Sequence, residues 1–261
     1  MQLKFYKYQG TGNDFVIADN RNETYALSTQ QIRQLCDRRF GIGADGLMLL
    51  QLKDGYDFEM KYYNADGREG SMCGNGGRCM IKFASQMGIR KDVYHFLASD
   101  GAHEGEIDID GIVSLKMNDV STIKKFHNDY ILNTGSPHYI KLETDVMKLD
   151  VYKKGLEIRN SKEFFTDGIN VNFVEQETEA DKIIVRTFER GVEAETYSCG
   201  TGVTAAALVC YHNENGFNEV EVKTLGGKLS VEFDKVGDNQ FKNIWLCGPA
   251  EKVYEGTIEI F

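Results

Sequence analysis

Residues 73–84, CGNGGRCMIKFA, and residues 199–210, CGTGVTAAALVC, decide how this chain reads. Each opens with Cys-Gly-x-Gly and continues into an apolar body of helical length, and the two copies stand about half a chain apart. In both, a strand-like run lies several residues upstream, and a Glu-Gly pair (Glu69-Gly70) or a Glu-Thr pair (Glu195-Thr196) comes just ahead of the cysteine. A motif repeated at that interval in the same setting points to an internal duplication. Each half is then a set of strands around one central, largely apolar helix whose N-terminus carries the cysteine.

That position has chemical content. A helix begins with four N–H groups that lack intrahelical acceptors and with the positive end of the macrodipole, so it attracts anions, and glycines let a ligand come close. A cysteine in the same field is drawn from about 8.5 toward the range of roughly 3.5–7.5 and becomes a usable base near neutral pH. Each motif therefore offers an anion cradle and a base. One such site alone would suggest a nucleophilic cysteine, which needs a partner base, and none of His95, His103, His127, His138 and His212 stands in a recognisable pairing. Two equivalent sites suggest a different use. One thiolate removes a proton from one face of a carbon while the opposite thiol delivers a proton to the other, and the stereocentre inverts. An amino-acid Cα–H is very weakly acidic, a difficulty many enzymes meet with an electron-sink cofactor. No pyridoxal-binding lysine motif is present, so N–H donors converging on the α-carboxylate must stabilise the carbanion instead.

Working outward, LKFYKYQ and FVIAD read as strands around the GTGND turn that holds Asn13, and STQQIRQLCDRR reads as a surface helix with a Ser28/Gln31 capping box. FGIGADGLMLLQ and DFEMKYYNADG read as strands, and the helix after Cys73 stops at Gly88. Strands and hairpins follow, with a boundary near residue 120. The second half is expected to hold one strand from Tyr130 to Leu142, a helical stretch within 145–160, strands at INVNFVE and KIIVRTFER, a helix from Cys199 ended by Gly216, and closing strands KLSVEF, NIWLC and GTIEIF. The expected domains are 1–118, to which the strand at about 251–261 returns, and 119–250.

With 261 residues, 41% hydrophobic and 27% charged, the chain is globular and large enough for a real core. A formal charge of −10 without a basic run argues against nucleic acid as a partner. The opening residues lack a signal-peptide h-region and no stretch approaches a membrane span, so no membrane partner and a cytoplasmic location are expected. Six cysteines in a reducing compartment read as free thiols. Cys36, Cys79, Cys210 and Cys247, placed in helix bodies or an apolar strand, read as small buried hydrophobes. Cys73 and Cys79 do not have zinc-ligand spacing, so no metal is expected.

GTGNDFV, RRFGIGADG, YYNADGREGSMCGNGGRC, GSPH, INVNF and FERGVEAETYSCGTG together resemble the diaminopimelate epimerases, over nearly the whole chain. The resemblance implies conversion of LL-2,6-diaminopimelate to the meso form, for lysine and peptidoglycan synthesis, without cofactor or metal. It implies an α/β (α+β) fold of two pseudo-symmetric domains, each a strongly curved, mostly antiparallel sheet around a central helix, with the active site in the cleft between them, and it favours a homodimer. The positions matching Cys73 and Cys199 are the two bases, and the amides of Gly74, Asn75, Gly200 and Thr201 hold the reacting carboxylate. Asn64, Asn170, Glu189 and Arg190, with Asn13 nearby, grip the distal amino-acid end, where a zwitterion needs an acid for its ammonium and a guanidinium for its carboxylate.

Two positions depart from the family's pattern, Gly46 where some members carry Gln and Ser136 where many carry Asn. Both bear on local substrate hydrogen bonds and leave the two-base chemistry intact. The segment from Arg190 to Cys199 is one residue longer than in some relatives. Asn13 and Asn64 also read as ordinary turn residues, whereas Asn170 sits in a strand pattern that disfavours Asn. His138 reads equally as a structural hydrogen-bonding group or a site residue. The competing functions are a proline or hydroxyproline racemase, a phenazine-pathway isomerase, and a thiol redox or binding module.

Overall fold

The computed structural model describes residues 1–177 and 181–260, and the chain divides into two compact units, Met1–Leu115 with Pro249–Phe261, and Lys116–Gly248.

The first unit contains β1 (Gln2–Gly10), β2 (Asn13–Asp19), α1 (Thr29–Cys36), β3 (Gly46–Gln51), β4 (Phe58–Asn64), α2 (Gly74–Gln86), β5 (Val93–Ala98), β6 (Gly101–Ile107), β7 (Val113–Lys116) and the C-terminal strand Glu251–Glu259. The C-terminal strand pairs with β1, and the sheet then runs in chain order to β7. All neighbours are antiparallel except β2–β3 and β4–β5. A parallel pair needs a crossover, and these two crossovers carry α1 and α2. Ser28 starts α1 by accepting from the Gln31 amide while the Gln31 side chain returns to the Ser28 amide. The Ile32, Leu35 and Cys36 face of α1 packs with Leu3, Phe5, Val16, Leu47 and Leu49. Fully burying an Ile or Leu contributes about 1.5–3 kcal/mol, which outweighs the low intrinsic stability of an eight-residue helix.

α2 is of another kind. Residues 74–81, Phe83 and Ala84 are all buried, and the helix touches β1, β2, β3, β4 and β6. A sheet that meets one helix along so many strands must curve around it.

The second unit repeats this plan. It contains β8 (Ile123–Phe126), β9 (Asp129–Asn133), β10 (Pro137–Leu142), a 3₁₀ turn at Val146–Lys148, α3 (Val151–Arg159), β11 (Asn170–Gln176), β12 (Lys182–Glu189), β13 (Ala194–Thr196), α4 (Gly200–Ala207), β14 (Gly216–Thr224), β15 (Gly227–Gly237) and β16 (Gln240–Gly248). The order is β8–β9–β10–β11–β12–β14–β15–β16, with β13 a short extra partner of β12. Again only the third and fifth pairings, β10–β11 and β12–β14, are parallel. α3 and α4 lie in those crossovers, and α4 touches β10, β11, β12, β14 and β15. The succession of antiparallel and parallel neighbours is the same in both units, so the mixed, sheet-dominated α/β architecture of two like units is established.

Three local expectations are corrected. The single strand expected from Tyr130 to Leu142 is the hairpin β9–β10, broken at Thr134-Gly135-Ser136 because Gly135 turns with φ +113°. The helix after Cys199 stops at Ala207 rather than near Gly216, which instead begins β14 with φ +86°. Beyond the helix, the Asn213 and Asn218 side chains tie the loop backbone together, an alternative to helical hydrogen bonding. Cys210 accordingly lies past the helix, though it is buried. Of the C-terminal stretch expected as strand, Phe261 lies outside the described residues. Among the described residues no helix is long and apolar enough to cross a membrane.

Candidate active site

In the first unit, β1 runs into the turn Thr11-Gly12, where both residues have positive φ, and Asn13 opens β2. Cys73 is the N-cap of α2, with extended backbone and a thiol that does not cap the helix. The first intrahelical bond, Gly77 N–H to Cys73 O at 2.7 Å, starts above the amides of Gly74 and Asn75, which the helix geometry directs outward. Cys73 Sγ lies 3.5 Å from Asn13 Oδ1, and Asn75 Nδ2 donates to the same oxygen at 3.4 Å. Thus the structure brings Asn13, Cys73, Gly74 and Asn75 together. Asn13 Nδ2 donates to Asp45 at 2.6 Å, and Asp45 is paired with Arg38, which also grips Asp14. Burial works against the Asp14 charge, but bonds from Arg38 and Lys7 outweigh it and hold its carboxyl down at about 2.

Asn64 ends β4, exposed, directly across from Gly46. A side chain at Gly46 would run into the Tyr62 ring and the Tyr63 carbonyl. Tyr62 therefore occupies the space a longer residue would need, and the departure from the family pattern at Gly46 has a steric cause.

In the second unit, Cys199 caps α4 in the same extended conformation, and Val203 N–H closes the first turn onto Cys199 O at 2.8 Å. Cys199 Sγ is 3.5 Å from Thr201 Oγ1, Thr201 Oγ1 is 3.2 Å from Ser136 Oγ, and Ser136 Oγ is 2.9 Å from His138 Nε2. Asn170, 4% exposed, donates to Ser136 and to the Pro137 carbonyl and accepts from the Arg190 amide at 2.8 Å. Glu189, at the end of β12, accepts from Thr196, and the exposed Arg190 guanidinium donates to Asp167 O. Cys199, Gly200, Thr201, Asn170 and Arg190 are thus joined through Ser136, while Glu189 adjoins them in sequence. Burial, with Arg190 nearby, pushes His138 down to about 3, so its imidazole is neutral at physiological pH.

The units correspond residue by residue. Thr11-Gly12-Asn13 matches Thr134-Gly135-Ser136. Through the registers Phe15 with Gly46 and His138 with Asn170, Gly46 then matches Asn170. Asn64 faces Gly46, and Val171 faces Phe188, which sets Asn170 against Glu189. Two substrate-grip candidates, Asn64 and Glu189, therefore occupy equivalent places. Sequence reading did not single out Asp45, Arg38, Thr11, Arg78, Thr134 or Asn172, although the shared Thr-Gly of GTGND and NTGSP was a signal for the paired turns.

The other four cysteines are buried and all six are free. Burial pushes Cys36, Cys79 and Cys210 up to about 12, which leaves them protonated and inert. Among the described residues no group of three or more His, Cys, Asp or Glu side chains is placed to hold a metal ion.

The family profile described as "Diaminopimelate epimerase" matches residues 5–123 and 130–253. Diaminopimelate epimerases of Flavobacterium psychrophilum and Chlorobaculum tepidum are similar, at 46% identity over 98% of this chain and 100% of theirs, and 44% over 96% and 99%. Among solved structures, a phenazine biosynthesis protein of the PhzF family from Bacillus anthracis superposes with TM-score 0.73 at 16% identity over 100% of both chains. A hydroxyproline epimerase from Agrobacterium vitis superposes with TM-score 0.68 at 10% identity, over 98% of this chain and 91% of its own. Those two share the fold. With the profile matching across both units and the sequence relatives full-length, the chain belongs to the diaminopimelate epimerase family.

Proposed function

We propose that this enzyme converts LL-2,6-diaminopimelate to the meso isomer by a two-base mechanism, without cofactor or metal, in lysine and peptidoglycan precursor synthesis. The observation that carries the reading is the duplicated cap: two cysteines, each at the N-terminus of a buried helix, each beside amides free of intrahelical acceptors. In this mechanism Cys73 and Cys199 reach opposite faces of one Cα. One thiolate takes the proton as the other thiol gives one up. Charge developing on the α-carboxylate is met by the amides of Gly74, Asn75, Gly200 and Thr201. Removing one preorganised donor of this kind costs about 2.7–4 kcal/mol, and positioned acid–base groups contribute about 10²–10⁴-fold. Asn13, Asn64 and Asn170 bind the distal amino acid, whose ammonium goes to Glu189 and whose carboxylate goes to Arg190.

The two halves at 1–118 and 119–250 each supply one base. A reducing compartment keeps both thiols reduced, which favours the cytoplasm, and the family resemblance favours a homodimer. The test is chiral chromatography of LL-diaminopimelate after incubation with reduced, chelator-treated enzyme and no added cofactor. Formation of the meso isomer is the expected result. No conversion, with turnover of proline or hydroxyproline instead, overturns the substrate assignment.

A further inference from the structure

The hydrogen-bond networks around the two cysteines have fixed and opposite directions. In the second unit, Asn172 Nδ2 lies 3.1 Å from Tyr139 O, a carbonyl that only accepts, while Asn172 Oδ1 accepts from Thr187 Oγ1 at 2.9 Å. The Asn172 amide is thereby oriented, and the 3.1 Å contact from Nδ2 to His138 Nδ1 makes that nitrogen an acceptor. A neutral imidazole then carries its proton on Nε2 and donates to Ser136 Oγ. Asn170 Nδ2 donates to the same oxygen, its own Oδ1 being taken by the Arg190 amide. Ser136 is left to donate to Thr201 Oγ1, and Thr201 to donate to Cys199 Sγ.

In the first unit the direction reverses. Asp45, paired with Arg38, accepts from Asn13 Nδ2, so Asn13 Oδ1 faces Cys73. A second clamp agrees: the buried Arg78 guanidinium donates to Asn75 Oδ1 at 3.0 Å, which turns Asn75 Nδ2 toward Asn13 Oδ1. Cys73 therefore meets an acceptor, which favours S–H, whereas Cys199 meets a donor, which favours S⁻. The charged and titratable groups around Cys73 include Asp14 on β2, with Lys7, Asp45 and Arg38 in the same network, Asp100 through the Met72 amide, and Arg78 and Cys79 on its own helix. Around Cys199 they include Arg190, Glu189 and the neutral His138.

We propose that the two cysteines are unlike at rest, Cys73 being the thiol and Cys199 the thiolate. The resting enzyme then acts first on the isomer whose Cα–H faces Cys199. That C–H bond breaks to form Cys199 S–H, the Cys73 S–H bond breaks to form the new C–H, and the enzyme leaves turnover with its proton on the other cysteine. Solvent exchange returns it before the next substrate of the same hand. The catalytic use of this asymmetry rests on the proposed function; the asymmetry itself is read without substrate.

Substrate-free enzyme is pulsed with iodoacetamide across a pH series, and alkylation at each cysteine is followed by mass spectrometry of its peptide. The pH midpoint of each rate, unlike its height, does not depend on exposure. The expected midpoint for Cys199 lies at least about one pH unit below that for Cys73, about a tenfold difference in the thiolate-to-thiol ratio at a given pH. Coincident or reversed midpoints overturn the proposal. Ser136→Ala, which cuts the donor chain, is expected to raise the Cys199 midpoint and leave that of Cys73 in place; an unmoved Cys199 overturns the role of the chain. Absence of epimerisation with ordered midpoints rejects the proposed function alone, and epimerisation with coincident midpoints rejects this proposal alone.

Discussion

α2 with Cys73 and α4 with Cys199 have the same backbone setting and different neighbours. Each cysteine is an extended N-cap within a parallel-sheet crossover, and each helix is buried. At matched positions the first unit places Asn13, Gly46 and Asn64, the second Ser136, Asn170 and Glu189. What the units share is what proton transfer needs, a thiol and a row of amides. What they do not share is suited to recognition, with the ionic groups Glu189 and Arg190 confined to the second unit. On the proposed function, duplication gives the paired chemistry, and divergence sends one of the substrate's two like ends to reaction and the other to recognition.

Removing the shared feature is expected to do most. Cys73→Ala or Cys199→Ala lowers epimerisation by at least about 10²–10⁴-fold, while thermal unfolding stays within a few degrees. Chiral chromatography and a melting curve check both parts, and near-normal inversion by either variant breaks the equivalence of the two caps. The divergent feature comes next. Arg190→Met removes a charge-assisted bond worth about 1.5–3 kcal/mol, so kcat/KM for diaminopimelate falls about 10–150-fold, while Asn64→Ala, at the neutral counterpart of the neighbouring Glu189, costs less. Equal losses would mean that the ionic end is not held by the second unit.

A third contrast is between the His138 network and its first-unit counterpart, where the matching residue is Phe15. His138 is buried and held down to about 3, so the unfolded chain binds its proton first as pH falls. The stability tied to neutral His138 is complete above about 6.5 and declines at up to about 1.4 kcal/mol per pH unit down to about 3. Urea unfolding across that range should show the slope, and His138→Gln should make it shallower. The smallest effect is steric. Gly46→Ala pushes a methyl against Tyr62 and is expected to cost about 1–3 kcal/mol. Adding Tyr62→Ala should make the Gly46→Ala change cheaper, read from the double-variant melting temperatures.

The duplication, the two central helices and the cysteines at their starts were legible because C-G-x-G followed by an apolar run is a local pattern. So was α1, whose Ser28/Gln31 box is written in four residues. Some of what escaped reading is local: the strand at 130–142 is broken by the polar turn at Asn133-Thr134-Gly135-Ser136, and the helix after Cys199 ends early because Asn213 and Asn218 hold the following loop. The rest depends on partners distant in sequence. Asp45, Arg38 and Asn172 entered as unremarkable polar residues, and their importance lies in which way they turn the amides of Asn13 and the ring of His138. The equivalence of Asn64 with Glu189 appears only once the sheet register is known.

On the proposed mechanism a Cα proton is exchanged by two cysteines acting on its opposite faces. Proton NMR of LL-diaminopimelate with reduced, cofactor-free enzyme in D₂O follows the α-proton signal and the stereochemistry together. Each inverted centre is expected to carry deuterium from its first appearance, and neither single Cys→Ala variant is expected to produce meso isomer. Inversion that retains the original α-hydrogen in the product, or inversion undiminished in Cys199→Ala, would contradict it.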